Sequence, residues 1–280
     1  MVIVITGILA GMVAVFIKAP VDSYFDMARR AELTDIADTA TRRMVRDVRL
    51  ALPNSVRNPT SGSDQCIEFI PTKAGGRYRA NQTSTSTGDV LDFSVIDASF
   101  DMLGLNASMP ASSQIATGDV VVVYNDGFGL TDAYTGKNAV KVLSVAAGGT
   151  TGTSKINMVA AGVGVPFDGK TFPTPSPSNR FQVISGNEHV VSYACSGGTL
   201  FRYSRTLTSA WAKPADCAAM IAGATAATLA TGVGPCSIVY QPPGSGVGGG
   251  RFGIVSISLA VTQVGESVNL YQQVSVGSTP

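Results

Sequence analysis

The chain has 280 residues, of which only 14% are charged, and its 20 basic and 19 acidic residues leave a net charge of +1. A balance this close to zero argues against a basic nucleic-acid stripe or an acidic tail. The four cysteines form no C-x-x-C pair and there is one histidine, so the ligand spacing of a zinc site is absent.

The N-terminal segment is apolar, because residues 1–17 carry no charge and Lys18 is the first charged residue. As a helix this run would be about 26 Å long, close to the thickness of the hydrocarbon layer of a membrane. We therefore expect residues 1–19 to span a membrane. Small residues let helices approach closely in lipid, which makes four of them candidates for helix packing: Gly7, Ala10, Gly11 and Ala14.

The basic residues near this segment all follow it, which by the positive-inside rule would place the rest of the chain in the cytoplasm. Four scattered cysteines instead favour two disulfides in an oxidising compartment, with four free thiols as the alternative. The conflict disappears if the natural chain begins upstream of Met1 with a short basic leader. We state that leader as an expectation.

Residues 20–52 predict an amphipathic continuation of the same helix, which stops before Pro53. Its arginines alternate with carboxylates, so a solvated helix face is favoured over a phosphate or lipid site. The apolar positions recur at spacings of three and four: Leu33, Ile36, Ala37, Ala40, Met44, Val48, Ala51 and Leu52.

Beyond Pro53 the pattern changes to short alternating segments separated by turns, which is typical of strands. We expect a β-rich head over residues 53–280, with a candidate insert around 80–175. The Ala-rich segment 216–231 is expected to form a short helix. The predicted strands are residues 66–70, 89–96, 119–124, 139–145 and 180–184, the hairpin 189–194 with 199–204, and the hairpin 254–262 with 266–276.

The disulfide candidates are Cys66, Cys195, Cys217 and Cys236, and four cysteines allow three pairings. Cys217 lies near Cys236 across the Ala-rich segment. We favour that pair, together with a strand-to-strand pair between Cys66 and Cys195.

Two motifs are weak indications of chemistry. The segment Gly244–Gly249 matches G-x-G-x-x-G, but prolines precede it and a strand follows it, whereas a dinucleotide site needs a strand before and a helix after. His189 would have to act as the base of a catalytic triad, and a strand histidine with a structural role is the favoured interpretation.

Two further segments are candidate binding elements. The acidic loop 126–132, DGFGLTD, offers carboxylates to calcium but lacks the EF-hand spacing, so a turn is favoured. Trp211, near Phe201 and Tyr203 in sequence, is either a sugar-stacking residue or part of a core, and the core is favoured.

The apolar start MVIVITGILAGMVAVFI resembles the N-terminal segment of type IV pilins. Several further motifs resemble minor pilin-like proteins of the mannose-sensitive haemagglutinin pilus system: RRAELTDIADTATRRMVRDVRLALPNSVR, CIEFIPTKAGGRYR, NRFQVISG, VSYAC, GTLFRYSR and GESVNLYQQVSV. The resemblance implies an α+β fold of the type IV pilin kind. That fold has a long N-terminal helical spine, whose first half is transmembrane, followed by an antiparallel β-sheet head.

The resemblance also implies a function as a minor pilin that helps to initiate or cap assembly of a pilus for surface attachment. A minor pseudopilin of type II secretion and a carbohydrate-binding tip adhesin are the alternatives. The implied partners are other major and minor pilins through the helix, an inner-membrane assembly platform, and a prepilin peptidase acting on a leader that is not in this chain.

The implied location is the bacterial inner membrane, crossed once with a periplasmic head, and then the fibre at the cell surface. We expect no enzymatic activity, no cofactor, no metal and no nucleic acid.

Overall fold

The computed structural model describes residues 2–244 and 252–277. This part of the chain forms two α-helices and thirteen strands, joined by turns and short 3-10 segments. The helices are α1 (Val2–Arg49) and α2 (Cys217–Ile221). The strands are β1 (Cys66–Phe69), β2 (Ala74–Arg77), β3 (Ser99–Leu103), β4 (Val120–Val122), β5 (Ala139–Ala147), β6 (Thr153–Met158), β7 (Arg180–Ile184), β8 (Val190–Ser196), β9 (Thr199–Arg205), β10 (Thr225–Thr231), β11 (Val233–Gln241), β12 (Gly253–Gln263) and β13 (Glu266–Val276).

The strands form three antiparallel sheets. One has four strands in the order β1-β8-β9-β10, one has three in the order β11-β12-β13, and one has six in the order β2-β7-β4-β5-β6-β3. Neighbours along the chain are often neighbours in a sheet, as in the hairpins β8–β9 and β12–β13. The six-stranded sheet is built from residues 74–184, between the strands β1 and β8 of the four-stranded sheet.

The fold class expected from the sequence, a type IV pilin-like α+β protein with a long, partly transmembrane helical spine and an antiparallel β-sheet head, is wrong. The long N-terminal helix exists as α1, but the described residues are mostly β-structure divided among three sheets. No helix in the described part of the chain is long and apolar enough to span a membrane. The middle of the chain supplies enough inward-facing apolar residues to form a second core, and a second core requires its own sheet to cover it.

The second half of α1 packs onto the sheets through a single apolar stripe. Leu33, 1% exposed, is the first buried position, and Val48 is the last within the helix. The stripe lies against β12, β13 and β10, and its alanines allow the helix to approach the strands closely. The predicted helical period is confirmed by the buried positions: Leu33, Ala37, Ala40, Met44 and Val48, with Ile36 at the edge.

The two faces of the four-stranded sheet have different neighbours. Ile67 and Tyr193, which are partners in the β1–β8 register, face the core that contains the α1 stripe. Cys66 and Ala194, the adjacent pair, point the other way and pack with Met220 of α2. Successive side chains of a strand alternate between faces, so one sheet separates these two clusters.

The hairpin β12–β13 forms two of the three strands of the three-stranded sheet. It confirms the strands predicted at residues 254–262 and 266–276. Its two turn residues, Val264 and Gly265, have φ values of 48° and 82°. Positive φ at both positions is the requirement of a type I′ turn, whose twist matches that of the flanking strands. Leu270 and Val274 of β13 face the core on the predicted side.

The six-stranded sheet surrounds an aromatic core, in which Phe100 and Phe181 meet edge to face with ring centroids 5.3 Å apart. The sequence did not predict β2, β3, β6, β10 and β11. The predicted strand at residues 89–96 is irregular. The Ala-rich segment is a helix only over Cys217–Ile221 and then becomes β10, where its small residues pair with β9.

A buried polar network joins α1 to the sheet. Asp47 accepts hydrogen bonds from the Tyr193 hydroxyl at 2.8 Å and from Arg202 Nε at 2.9 Å. Arg202 also donates to both carboxylate oxygens of Glu188 at 2.8 Å. Hydrogen bonding to Glu188 is the main cause of a raised pKa of Arg202, and burial is the main cause of a raised pKa of Tyr193. The network therefore fixes the position of α1 along the sheet through charge-assisted bonds.

We expect Asp47→Ala to lower the free energy of unfolding by about 2 kcal/mol, because the buried Tyr193 hydroxyl loses its acceptor. The matched control is Asp38→Ala on the same helix. Asp38 pairs with Arg42, whose side chain is 75% exposed, so this change should alter stability by less than about 0.5 kcal/mol. Urea unfolding monitored by circular dichroism measures both, and equal losses would contradict the role given to Asp47.

Candidate functional site

The first half of α1 projects from the sheets without covering them. Before Leu33 its described side chains are exposed or half-buried, and Phe16 is 85% exposed. Arg30 Nε donates to Glu266 at 2.8 Å at the base of this segment. At the helical rise of 1.5 Å per residue, residues 2–32 extend about 46 Å. The exposed large apolar residues are Val2, Ile3, Val4, Ile5, Leu9, Met12, Val13, Phe16, Val21, Tyr24, Phe25 and Met27. We call residues 2–32 the projecting segment.

Two of the four residues predicted for helix packing can be placed. A Cβ atom added at Gly7 or at Gly11 would meet nothing within 4 Å. The side chains of Ala10 and Ala14 lie outside the described residues. Neither glycine therefore packs against another described part of the chain, and their surface is open to a neighbouring helix.

Three arginines of α1 form close ion pairs with carboxylates. Arg29 pairs with Asp26, Arg30 with Glu266, and Arg42 with Asp38. Carboxylates on the same helix or on β13 thus neutralise much of the basic charge, in agreement with the solvated face predicted from the sequence.

All four disulfide candidates are paired, but the favoured pairing is wrong. The bonds join Cys66 to Cys217 and Cys195 to Cys236, with Cα–Cα distances of 5.7 and 6.4 Å. Cys66 lies opposite Ala194, not Cys195. Since adjacent side chains face opposite ways, Cys66 points towards α2 and Cys195 points towards β11. One bond secures each face of the four-stranded sheet.

His189 has a structural environment. It is 6% exposed, its Nδ1 accepts a hydrogen bond from the backbone N–H of Leu207 at 2.7 Å, and its ring meets Phe167 edge to face. Burial is the main cause that lowers the pKa of His189 to about 4, and the nearby charge of Lys141 lowers it further. The imidazole is therefore neutral near pH 7 and serves as an acceptor in the core.

The Gly244–Gly249 motif lies outside the described residues except for Gly244. The predicted neighbours of Trp211 are also placed elsewhere: Phe201 and Tyr203 lie on β9, with ring centroids 5.7 Å apart, and Tyr203 packs on the cluster around Cys66.

Two segments that the sequence analysis treated separately meet in one cleft of about 760 Å³. The acidic loop 126–132 contributes Asp126, Gly127, Phe128 and Asp132 to its lining, and Trp211, Arg57 and Tyr240 line it as well. We call this the Trp211 cleft. The loop contains a 3-10 turn, Gly129–Thr131, and Asp126 holds it by accepting from the Phe128 backbone N–H at 2.9 Å.

Arg57, which lines the Trp211 cleft, forms an ion pair with the buried Glu68. Arg57 Nε donates to Glu68 Oε1 at 2.7 Å, and Glu68 is fully buried. The indole N–H of Trp211 donates to the second oxygen of the same carboxylate at 3.1 Å. The guanidinium of Arg57 also lies over the ring of Tyr134, 3.5 Å from its centroid. Both Glu68 oxygens are thus bonded, which compensates for the burial of the carboxylate.

Burial dominates the electrostatics of this region. It raises the pKa of Glu68, against the opposing effect of Arg57, and it raises the pKa of Tyr134 well above its ordinary value. It also raises the pKa of Asp132, and the charge of Asp126 adds to that effect. The effect of Asp126 on the pKa of Asp132 indicates that the two carboxylates lie near each other.

The described residues contain no group of three histidine, cysteine or acidic side chains that could hold a metal ion. Asp126 and Asp132 alone supply too few ligands for the six to eight oxygens that calcium takes. The cleft instead combines aromatic and apolar walls with a few polar groups, which is the usual composition of a binding site for small molecules.

Comparison with models of protein families, with curated proteins and with solved structures found no match. The resemblance to type IV pilins therefore stays a prediction.

The sequence identified Trp211 and the acidic loop but not the residues that join them. Arg57 and Glu68 have no motif around them, and no local spacing connects positions 57, 68, 132 and 211. Only Glu68 could have been noticed from the sequence, because it is an acidic residue among the apolar residues of the predicted strand 66–70, CIEFI. A charge at such a position needs a partner.

We expect the free energy of unfolding to fall by about 1.5 kcal/mol between pH 6.5 and pH 5 because of His189. The unfolded chain takes up a proton on this residue near pH 6.5, whereas the folded chain does so only near pH 4, so acid favours unfolding in between. His189→Asn keeps an acceptor for Leu207 N–H and should remove most of this slope. Because His189 is the only histidine, equal slopes in urea titrations of both proteins would contradict its buried neutral state.

Proposed function

We propose that this chain is a structural subunit of an extracellular fibre, and that its projecting segment packs against the helices of other pilin-type subunits. The observation that carries the proposal is the exposure of large apolar side chains along residues 2–32, such as Ile3 at 87% and Phe16 at 85%. Burying one such side chain stabilises an assembly by about 1.5–3 kcal/mol. Leaving all of them in water is costly unless another molecule covers them.

The chain's own sheets do not cover the apolar side chains of the projecting segment. The core they share with α1 is complete with the stripe from Leu33 to Val48, which is buried against β12 and β13. A helical partner suits the projecting segment best, because Gly7 and Gly11 leave open surface for close helix contact.

The specific role proposed is that of a minor pilin, which helps to start or cap a fibre of the mannose-sensitive haemagglutinin type. It rests on the sequence motifs that resemble such proteins. The partners would be other major and minor pilins and the platform that assembles them, after a prepilin peptidase has removed a leader. The two disulfides support a head on the oxidising side of the cell envelope or at the cell surface.

Two alternatives use the same molecule. A minor pseudopilin of type II secretion would pack through the same segment, and the neighbouring genes would distinguish it from a pilus subunit. A tip adhesin would use the Trp211 cleft in addition to the projecting segment, and the two roles are compatible.

We expect the double variant Gly7→Leu with Gly11→Leu to fold normally but to enter fibres at less than a tenth of the wild-type level. A Cβ atom at either position meets no described atom within 4 Å, so we expect the leucines to block contacts with other subunits and not the fold. The measurement is the amount of the chain in fibres sheared from cells that carry its own assembly genes.

The matched control places two leucines on the head, Ala226→Leu with Thr228→Leu, at exposed positions of β10. This variant should enter fibres normally. The proposal is overturned if the wild-type chain is absent from sheared fibres, or if the glycine variant is incorporated as well as the wild type.

A further inference from the structure

The Trp211 cleft has a size and a lining suited to a small ligand. Its volume of about 760 Å³ lies within the range of about 300–1,000 Å³ that is usual for ligand pockets. The residues used below are Arg57, Asp126, Phe128, Asp132, Trp211 and Lys213, all of which line it. Neither the packing of the three sheets nor the fibre contact proposed for the projecting segment accounts for this cleft.

Trp211 is a fixed aromatic platform. Its indole N–H is bonded to Glu68, its backbone N–H donates to Tyr134 O at 2.8 Å, and the guanidinium of Arg205 lies 4.1 Å from its ring centroid. The half-buried ring is thus held on several sides while it also lines the cleft. A side chain that is already immobile loses little conformational entropy when a ligand stacks on it.

Phe128 provides a second aromatic surface in the lining of the cleft. It is 79% exposed, whereas large aromatic side chains usually contribute to a core or to an interface. The backbone of its loop is held by Asp126 and Thr131, so the exposed ring is presented from an ordered turn.

The two carboxylates of the cleft each retain an unused oxygen. Asp126 uses Oδ1 to accept from Phe128 and Thr131, and Asp132 uses Oδ1 to accept from the Tyr134 backbone N–H. Within residues 2–244 and 252–277, neither Oδ2 atom has a hydrogen-bond partner. A carboxylate is an acceptor only, so the complementary ligand groups are donors such as hydroxyls.

The charges of the lining exclude strongly ionic ligands. Asp126 and Asp132 repel carboxylates, sulfates and phosphates, while Lys213 in the same lining opposes an amine or a metal ion. Arg57 is bonded to Glu68 and is not available as a free cation. An uncharged molecule with many hydroxyl groups and an apolar face fits these constraints.

We propose that the Trp211 cleft binds a short, uncharged saccharide. The apolar C–H face of the sugar contacts both Phe128 and Trp211, and its hydroxyl groups donate to Asp126 and Asp132. This site is separate from the projecting segment, so the inference holds or fails independently of the fibre proposal.

The test uses the full chain and the fluorescence of Trp211, which is the only tryptophan and lies in the site itself. The protein is first applied to an array of neutral hexose and N-acetylhexosamine oligosaccharides together with sialylated and sulfated ones. Cellotriose, mannotriose, triacetylchitotriose and the neutral members bound on the array are then titrated. We expect a saturable change in fluorescence with at least one neutral sugar, and none with the anionic set.

Phe128→Ala and Asp132→Asn should each weaken that binding about tenfold or more, which corresponds to the loss of one stacking contact or one charged hydrogen bond. The matched controls are Tyr271→Ala, which removes an aromatic ring that is 62% exposed on β13, and Asp64→Asn, an exposed aspartate outside the cleft. Both controls should bind like the wild type. Thermal melting of every variant verifies the fold, and Asp126→Asn replaces any cleft variant that fails to fold.

Four results would overturn the proposal. These are the absence of binding to any oligosaccharide, binding to anionic ones alone, neutral-sugar binding that both cleft variants leave unchanged, and a fluorescence response to calcium alone or to a proline-rich peptide with none to sugars.

Discussion

The burial of one face of α1 from Leu33 to Val48 is the contact on which the rest of the structure depends. The stripe meets β10, β12 and β13, and its core also includes Ile67 and Tyr193 of the four-stranded sheet. The helix therefore joins the four-stranded sheet to the three-stranded sheet, which have no strand in common. Asp47, bonded to Tyr193 and Arg202, fixes the helix along its axis at this contact. The sheets cover the helix only from Leu33 onward, so residues 2–32 of the same helix extend beyond them as the projecting segment.

Two constraints then position the remaining features. The alternation of side chains along β1 and β8 sends Cys66 and Cys195 to opposite faces of one sheet, so the disulfides secure α2 on one side and β11 on the other. The buried pair of Arg57 and Glu68 orients Trp211, and thereby one wall of the cleft. Removing either partner would leave an uncompensated buried charge, which is among the more costly defects in a protein interior.

The two proposed functional regions lie at opposite ends of α1. The cleft includes Asn54 and Arg57, which follow the end of the helix at Arg49, whereas the projecting segment begins at Val2. A helix of this length extends about 70 Å. A subunit held in a fibre by its N-terminal segment would therefore present the Trp211 cleft far from the packed helices, where a ligand could reach it.

The sequence alone determined the local elements. The three-and-four spacing of apolar residues predicted the buried stripe of α1, short segments bounded by turns predicted β8, β9, β12 and β13, and an even number of cysteines predicted two disulfides. These features depend on neighbours within a few residues, which a linear pattern records.

The tertiary structure decided the division into three sheets, the cysteine pairing and the assembly of the cleft. Cys66 and Cys217 are 151 residues apart, and Glu68 meets Trp211 across a similar separation. Such contacts depend on strand register and on which sheet faces which, and a shift of one residue in register would have reversed every side chain involved.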